Sequence, residues 1–327
     1  MSEASGEISE QTDSKKCLVK NKIETLLFSG GGIRGIAYIG CLKYLEECHL
    51  DLCVNEVCGV SVGSIIAFLY VLGYTADELK EYIFEKDLSK LKKISFVNFI
   101  YHYGLDSGEN VLEWLESFIL LKHNKTRGLT FKELYDLNPV KLNILAANLN
   151  KYKYTQFNYI DTPDCSVLDA IRMSISIPMM FTKKTYNGEV HVDGGLIGSY
   201  PIKLYRDKLD TLLGFKLISA GEQDEEVDAN VKNSLESYVY NIFNCYTAQR
   251  EKYTVISEEY QKHTVYIHSK HITQILKFKL TADDKQELFD LGYNTTRNAI
   301  GTGAVDIGSV EIGSGESGES GESKSEE

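Results

Sequence analysis

The chain has 327 residues, 43% of them hydrophobic and 25% charged, a balance that suits a globular protein and excludes collagenous, mucin-like and wholly disordered classes. The formal net charge is −12, but seven acids and one lysine lie from Val305 onward and four acids and two lysines within residues 1–16, so eight of the twelve negative charges belong to the ends. The body is only mildly acidic, which leaves no basic field to hold nucleic acid.

Residues 1–20 are polar and expected to be a disordered tail. Ile23 to Phe28 reads as a strand and Ile33 to Glu47 as a helix. Val54 to Cys58 is a second short strand, followed by a helix from Ser61 to Leu72. Thr75 with Glu78 forms a capping box that opens another helix, and Thr130 with Glu133 repeats the signature. Leu142 to Ala147 is strand-like, the Tyr-rich stretch Tyr152 to Tyr159 suggests a strand pair, and Ser166 can cap a helix running toward Met173. Glu189 to Val192 and Leu212 to Ser219 read as strands. A long helical region spans about 231–260, then come a strand at Thr264 to His268 and a last helix capped by Thr281. The alternation predicts an α/β layered fold with a mainly parallel central sheet flanked by helices, in one domain over 21–304. Residues 305–327 read as a disordered acidic tail, whose Gly-Glu-Ser repeat, Gly315 to Ser323, offers nothing apolar to bury.

The seven cysteines, Cys17, Cys41, Cys48, Cys53, Cys58, Cys165 and Cys245, show no CxxC pair or metal-ligand spacing. The polar N-terminus lacks the apolar core of a signal peptide. No apolar run approaches the roughly 20 residues that span a bilayer. These features predict an intracellular protein with reduced thiols, either soluble or peripherally bound to a membrane.

Three glycine-rich motifs follow predicted strands. Gly59-Val60-Ser61-Val62-Gly63 lies between a strand and an apolar helix, the setting of a nucleophile elbow, in which glycines allow a tight turn that lifts the serine to the positive end of the helix. Gly30-Gly31-Gly32-Ile33-Arg34-Gly35 also joins a strand to a helix, and its exposed N–H groups can hold a phosphate or a developing oxyanion. Read alone, that loop spells the dinucleotide fingerprint through Gly30, Gly32 and Gly35, with Glu56 near the position of the ribose-binding acid. Asp193-Gly194-Gly195 follows the Glu189–Val192 strand and presents a carboxylate. Together the motifs supply anion donors, a nucleophile and a base, all at strand ends.

The order GGGIRG, GVSVGS, DGG resembles the patatin-like phospholipases, over about residues 22–202. Ser174-Ile175-Ser176-Ile177-Pro178, with Phe181, is similar to the family's segment before the aspartate strand. The resemblance implies a lipid acyl-ester hydrolase of phospholipase A type working through an acyl-serine. Ser61 would be its nucleophile, Asp193 its base, and the region of Gly30, Gly31, Gly32 and Arg34 its oxyanion hole, with Gly59 and Gly63 framing the elbow. No metal or cofactor is expected, and the partners would be an acyl lipid and a membrane surface. The family commonly carries an asparagine where this chain has Ser199, two residues before Pro201.

Two alternatives to hydrolysis are a nucleotide-binding protein using the glycine loop and a silent interaction module. The intact Ser61 and Asp193 speak against the second. His191 shares a strand face with Asp193 and could complete a triad, although a packed strand histidine is the simpler reading. Phe96, Phe99, Ile100, Tyr101 and Tyr103, after Lys90, Lys92 and Lys93, suit a membrane interface, but an amphipathic core helix is preferred for them.

Overall fold

A computed structural model of the chain describes residues 23–48, 54–218, 235–253, 257–269 and 278–305. The expected N-terminal tail, 1–20, lies outside these residues, and so does the C-terminal one except for Val305, which is not free as expected but buried in the large core because its side chain is apolar. In chain order the first half contains β1 (Thr25–Phe28), α1 (Ala37–Glu47), β2 (Glu56–Val60), α2 (Val62–Val71), α3 (Ala76–Glu85), α4 (Phe96–His102), β3 (Gly104–Asp106), α5 (Glu109–His123), α6 (Phe131–Leu137) and β4 (Lys141–Asn148). There follow β5 (Lys153–Phe157), α7 (Val167–Ser174), β6 (Met179–Phe181), β7 (Lys184–Tyr186), β8 (Glu189–Asp193), β9 (Leu212–Ile218), α8 (Leu235–Tyr253), α9 (Glu258–Gln261), β10 (Thr264–His268) and α10 (Ala282–Gly301).

The main sheet has eight strands in the order β10-β9-β1-β2-β4-β8-β7, with β5 also on β4. The run from β10 to β4 is parallel throughout. β5, β7 and β8 pair antiparallel. The mainly parallel α/β architecture is the one that the alternating pattern predicts. Both faces of the parallel part are covered, which is why its strands are apolar without alternation. Leu26, Phe28 and Val57 join the large core with helices α1, α2, α5, α7 and α10. Leu27, Cys58 and Val60 face the other way, against Tyr200, Ile202 and Tyr205.

Several local expectations meet a different outcome. Ile33–Ile36 belongs to a tight 3-10 turn, Gly32–Ile36, and the α-helix starts only at Ala37. The Tyr152–Tyr159 stretch gives one strand, β5, whose partner is β4. Ser166 stands at the start of α7, but its hydroxyl donates to the Arg127 carbonyl and caps nothing. The expected long helix over 231–260 is α8 and then α9, with 231–234 and 254–256 outside the described residues. The boxes at Thr75 and Thr130 form with both reciprocal bonds.

The preferred core-helix reading of the aromatic segment fails. No residue of α4 is buried, and Phe96, Ile100 and Tyr101 are 64%, 68% and 72% exposed. Of its aromatic side chains only Phe99 turns inward, onto the small cluster of Leu105, Met180 and Phe181 from the β3–β6 ribbon and the preceding Ile177. Among the described residues no helix is long and apolar enough to cross a membrane.

Candidate active site

Strand β4 brings the two distant motifs together. Along one edge, β2 pairs in parallel with its first half, ending with Val60 opposite Leu145. β8 arrives from the opposite direction on the second half of the same edge and ends with Asp193 opposite Ala146. The two strands therefore meet end to end where Leu145 is followed by Ala146. Ser61, next after Val60, falls beside Asp193, and its Oγ donates to Asp193 Oδ2 at 2.6 Å.

Ser61 occupies a strained turn between β2 and α2, with φ 52° and ψ −126°. The flanking glycines are obligatory for steric reasons. A Cβ on Gly63 would lie 2.3 Å from the Phe28 carbonyl oxygen, and one on Gly59 would lie 2.2 Å from that of Gly63. Ser61 is fixed from below by its neighbours. Its N–H donates to Ser174 Oγ at 2.9 Å, and its carbonyl accepts the Ser64 hydroxyl at 2.6 Å. Standing at the first turn of α2, the serine lies at the positive end of the helix dipole.

Asp193 is held just as firmly. Its N–H donates to the Ser176 carbonyl at 2.8 Å, and its Oδ1 accepts the Gly195 N–H at 2.7 Å. The side chain is buried. Burial pushes the carboxyl up to about 7, while the hydrogen bonds from Ser61 and Gly195 pull the other way. A buried carboxylate titrating near neutrality, in contact with a serine hydroxyl, is suited to accepting a proton from it.

The glycine loop lies beside this pair, at the end of β1. Gly30 approaches Ser61 closely, but its N–H is committed to the Ser199 carbonyl at 3.0 Å, so it is not a free anion donor as expected. The Arg34 guanidinium is also turned away from that task. It is buried and donates to the carbonyls of Ile218 at 2.6 Å and Gly31 at 3.3 Å, tying the loop to β9. Gly31 and Gly32 open the 3-10 turn, where the first N–H groups have no acceptor within the helix.

Two cavities meet at the serine. An apolar one of about 110 Å³ is lined by Ile33, Ile65, Leu91, Val111, Trp114 and Phe181. A smaller, more polar one of about 50 Å³ is lined by Asp193, Ser199, Asn244, Thr247 and Glu251. Gly32, Ser61 and Ile177 border both. Among the described residues no group of three or more His, Cys, Asp or Glu side chains is placed to hold a metal ion.

A family model described as patatin-like phospholipase matches residues 26–205, more than half of the chain. The chain belongs to the patatin-like phospholipase family. Membership makes it a serine-dependent lipid ester hydrolase. Protein R571 of Acanthamoeba polyphaga mimivirus is 29% identical over 298 residues, 89% of this chain and 98% of that one. The probable lipid hydrolase 463L of Invertebrate iridescent virus 6 is 33% identical over 187 residues, 55% of this chain and 62% of that protein. Among solved structures, the ExoU–SpcU complex of the Pseudomonas aeruginosa type III secretion system aligns with a TM-score of 0.51 at 18% identity, over 86% of this chain and 52% of that chain, which shows a shared fold.

In this patatin-like chain the residues behind the alternative readings have other duties. Glu56 starts β2, opposite Thr25, at the far end of the sheet from the glycine loop. It accepts from Asn143 and pairs with Lys141 and Lys208, so it is no ribose ligand. His191 contacts Thr155 and Asn148 through Nε2 and the Glu189 carbonyl through Nδ1, and its ring packs on Phe157. Both ring nitrogens are thus occupied away from Ser61. Two residues whose part the sequence did not reveal are Ser174 and Ser176, which hold Ser61 and Asp193 respectively. The resemblance marked their segment without showing what each does.

Proposed function

We propose that the protein is a phospholipase A-type acyl hydrolase that cleaves carboxylic esters of membrane lipids through an acyl-Ser61 intermediate. The observation that carries this is the 2.6 Å bond from Ser61 Oγ to the buried Asp193 at the junction of an apolar and a polar cavity. The acyl chain enters the apolar cavity, and the alcohol portion faces the polar one. Asp193 takes the Ser61 proton as Oγ attacks the ester carbonyl. The N–H groups of Gly31 and Gly32 hold the oxyanion, a contribution of about 3–4 kcal/mol for one well-placed donor. Asp193 returns the proton to the departing alkoxide. Water, deprotonated by the same carboxylate, then releases the fatty acid and restores Ser61. The lipid substrate accords with the names of relatives such as the probable lipid hydrolase.

The proposal extends to a lipid surface. α4 exposes Phe96, Val97, Ile100 and Tyr101, Tyr103 just after it is exposed as well, and α8 exposes Tyr238, Ile242 and Tyr246. The inward residues of both helices, Phe99, Val239 and Phe243, pack on the cluster that supplies Ile177 and Phe181 to the apolar cavity. Aromatic and aliphatic side chains beside Lys93 and Lys183 suit a bilayer interface.

The experiment is fluorophosphonate labelling with peptide mapping, run beside product analysis on mixed phospholipids. The adduct is expected on Ser61, and Ser61→Ala is expected to release no fatty acid. An adduct elsewhere, with Ser61→Ala still active, overturns the proposal.

A further inference from the structure

The neighbours of Ser199 form a buried polar relay. The Ser199 carbonyl accepts the Gly30 N–H at 3.0 Å, while its own N–H and hydroxyl donate to Glu251 Oε1 at 3.0 and 2.9 Å. Glu251 Oε2 pairs with Lys216 at 3.2 Å, and the two side chains are 10% and 5% exposed. Burial works against the ionised carboxylate, but the Lys216 charge and the Ser199 donors outweigh it and hold Glu251 below the usual carboxylate range. One carboxylate therefore touches β9 through Lys216 and the turn after Asp193 through Ser199, and through the Ser199 carbonyl it reaches the glycine loop. Leu217, next to Lys216, backs the same loop, since a Cβ on Gly31 would lie 2.5 Å from its Cδ1. Glu251 belongs to α8, beyond the stretch that the family model matches.

We infer that Glu251 is a positioning residue for the hydrolysis, setting the glycine loop against Ser61 through Ser199. A buried ion pair is an inefficient way to stabilise a fold, because apolar side chains of similar volume often do as well or better. Its place here, where three segments converge on the serine, gives it a geometric task. Small displacements of groups that meet the transition state are expensive in rate. The inference rests on Ser61 being the nucleophile.

Two double variants isolate the relay. Lys216→Met/Glu251→Gln keeps an acceptor for Ser199, and Lys216→Met/Glu251→Leu removes it; neither leaves a buried charge unpaired between these two positions. On a soluble short-chain ester, the glutamine variant is expected to keep kcat within about threefold of the parent. The leucine variant is expected to lose roughly ten- to a hundredfold in kcat with KM nearly unchanged, and to label at Ser61 correspondingly slowly. Equal kcat in the two variants, or a loss confined to KM, overturns the inference. If the leucine variant does not fold, Ser199→Ala takes its place. That change removes one of the two bonds to Glu251, and a kcat equal to the parent's then overturns the inference. A parent protein that neither labels at Ser61 nor hydrolyses the ester refutes the proposed function instead.

Discussion

The Ser174 hydroxyl accepts the Ser61 N–H at 2.9 Å and donates its own hydrogen bond to the Leu145 carbonyl at 2.6 Å. One side chain thus ties the elbow to the strand that registers it. Ser174→Ala leaves a buried donor and a buried acceptor without this partner, at a cost of about 1–3 kcal/mol each. The variant is expected to lose thermal stability on that scale and to label more slowly at Ser61. Calorimetry and labelling kinetics check both, and a variant as stable and reactive as the parent contradicts this role.

The raised carboxyl of Asp193 gives two opposite pH dependences. In its proposed role as base it must be ionised, so kcat/KM is expected to rise through pH about 7 and level off above it. Stability runs the other way. The folded carboxyl titrates at about 7 against an ordinary 3.8, so between these values the native state holds a proton that the unfolded chain has lost. The group's contribution to stability is full below the unfolded value and is lost as pH rises through the folded one. Asp193→Asn, which mimics the protonated acid, should melt above the parent at about pH 8, with the gap closing toward about pH 4. Its turnover should fall at least about a hundredfold. A melting gap that does not change with pH counts against this titration.

Strain is stored at Ser61 itself, whose φ of 52° is one that glycine adopts more easily. Ser61→Gly and Ser61→Ala are both expected to be inactive, but the glycine variant should be the more stable by about 1 kcal/mol. Chemical denaturation of the two side by side tests this, and an alanine variant of equal or greater stability would show the turn to be relaxed.

Trp114 is the chain's single tryptophan and lines the apolar cavity. Its emission is therefore expected to shift when a long-chain fluorophosphonate phosphonylates the serine with loss of fluoride, and to stay unchanged with a methyl fluorophosphonate. Ile65→Trp, which fills the cavity, should move preference toward short acyl esters. Unaltered chain-length preference would place the acyl group elsewhere.

Phe96→Asp with Ile100→Asp alters two side chains that are 64% and 68% exposed, so folding should be spared. Binding to vesicles of phosphatidylcholine and phosphatidylglycerol is expected to fall at least about tenfold, since each side chain would bury apolar area in the interface. Hydrolysis of a soluble ester should be unchanged. Vesicle binding at the parent's level would remove α4 from the membrane contact.

The parts of the site legible in the sequence are those that local chain geometry decides. Gly59 and Gly63 announce a turn too tight for a side chain, and their strand-then-helix setting identifies Ser61. The capping boxes at Thr75 and Thr130 are equally local. Pairing is not, and nothing near Val60 or Asp193 reveals that both lie on one edge of β4. Glu251 stands 52 positions from Ser199, and only the folded chain joins them. Gly30 fails as a free donor because its N–H meets a carbonyl 169 positions away. The aromatic run before β3 misleads for another reason: its composition is the same whether it is covered by protein or left outside.

The end-to-end meeting of β2 and β8 makes β4 a ruler for the reaction. The spacing of the proposed nucleophile and base is graduated in whole residues, because a slip of one position on β4 moves a side chain by about 3.3 Å and turns it to the opposite face. No intermediate setting exists. The machinery is thus digital: a perturbation that lets either strand slip abolishes the pair in one step, whereas one that leaves the register intact leaves the pair at its working separation.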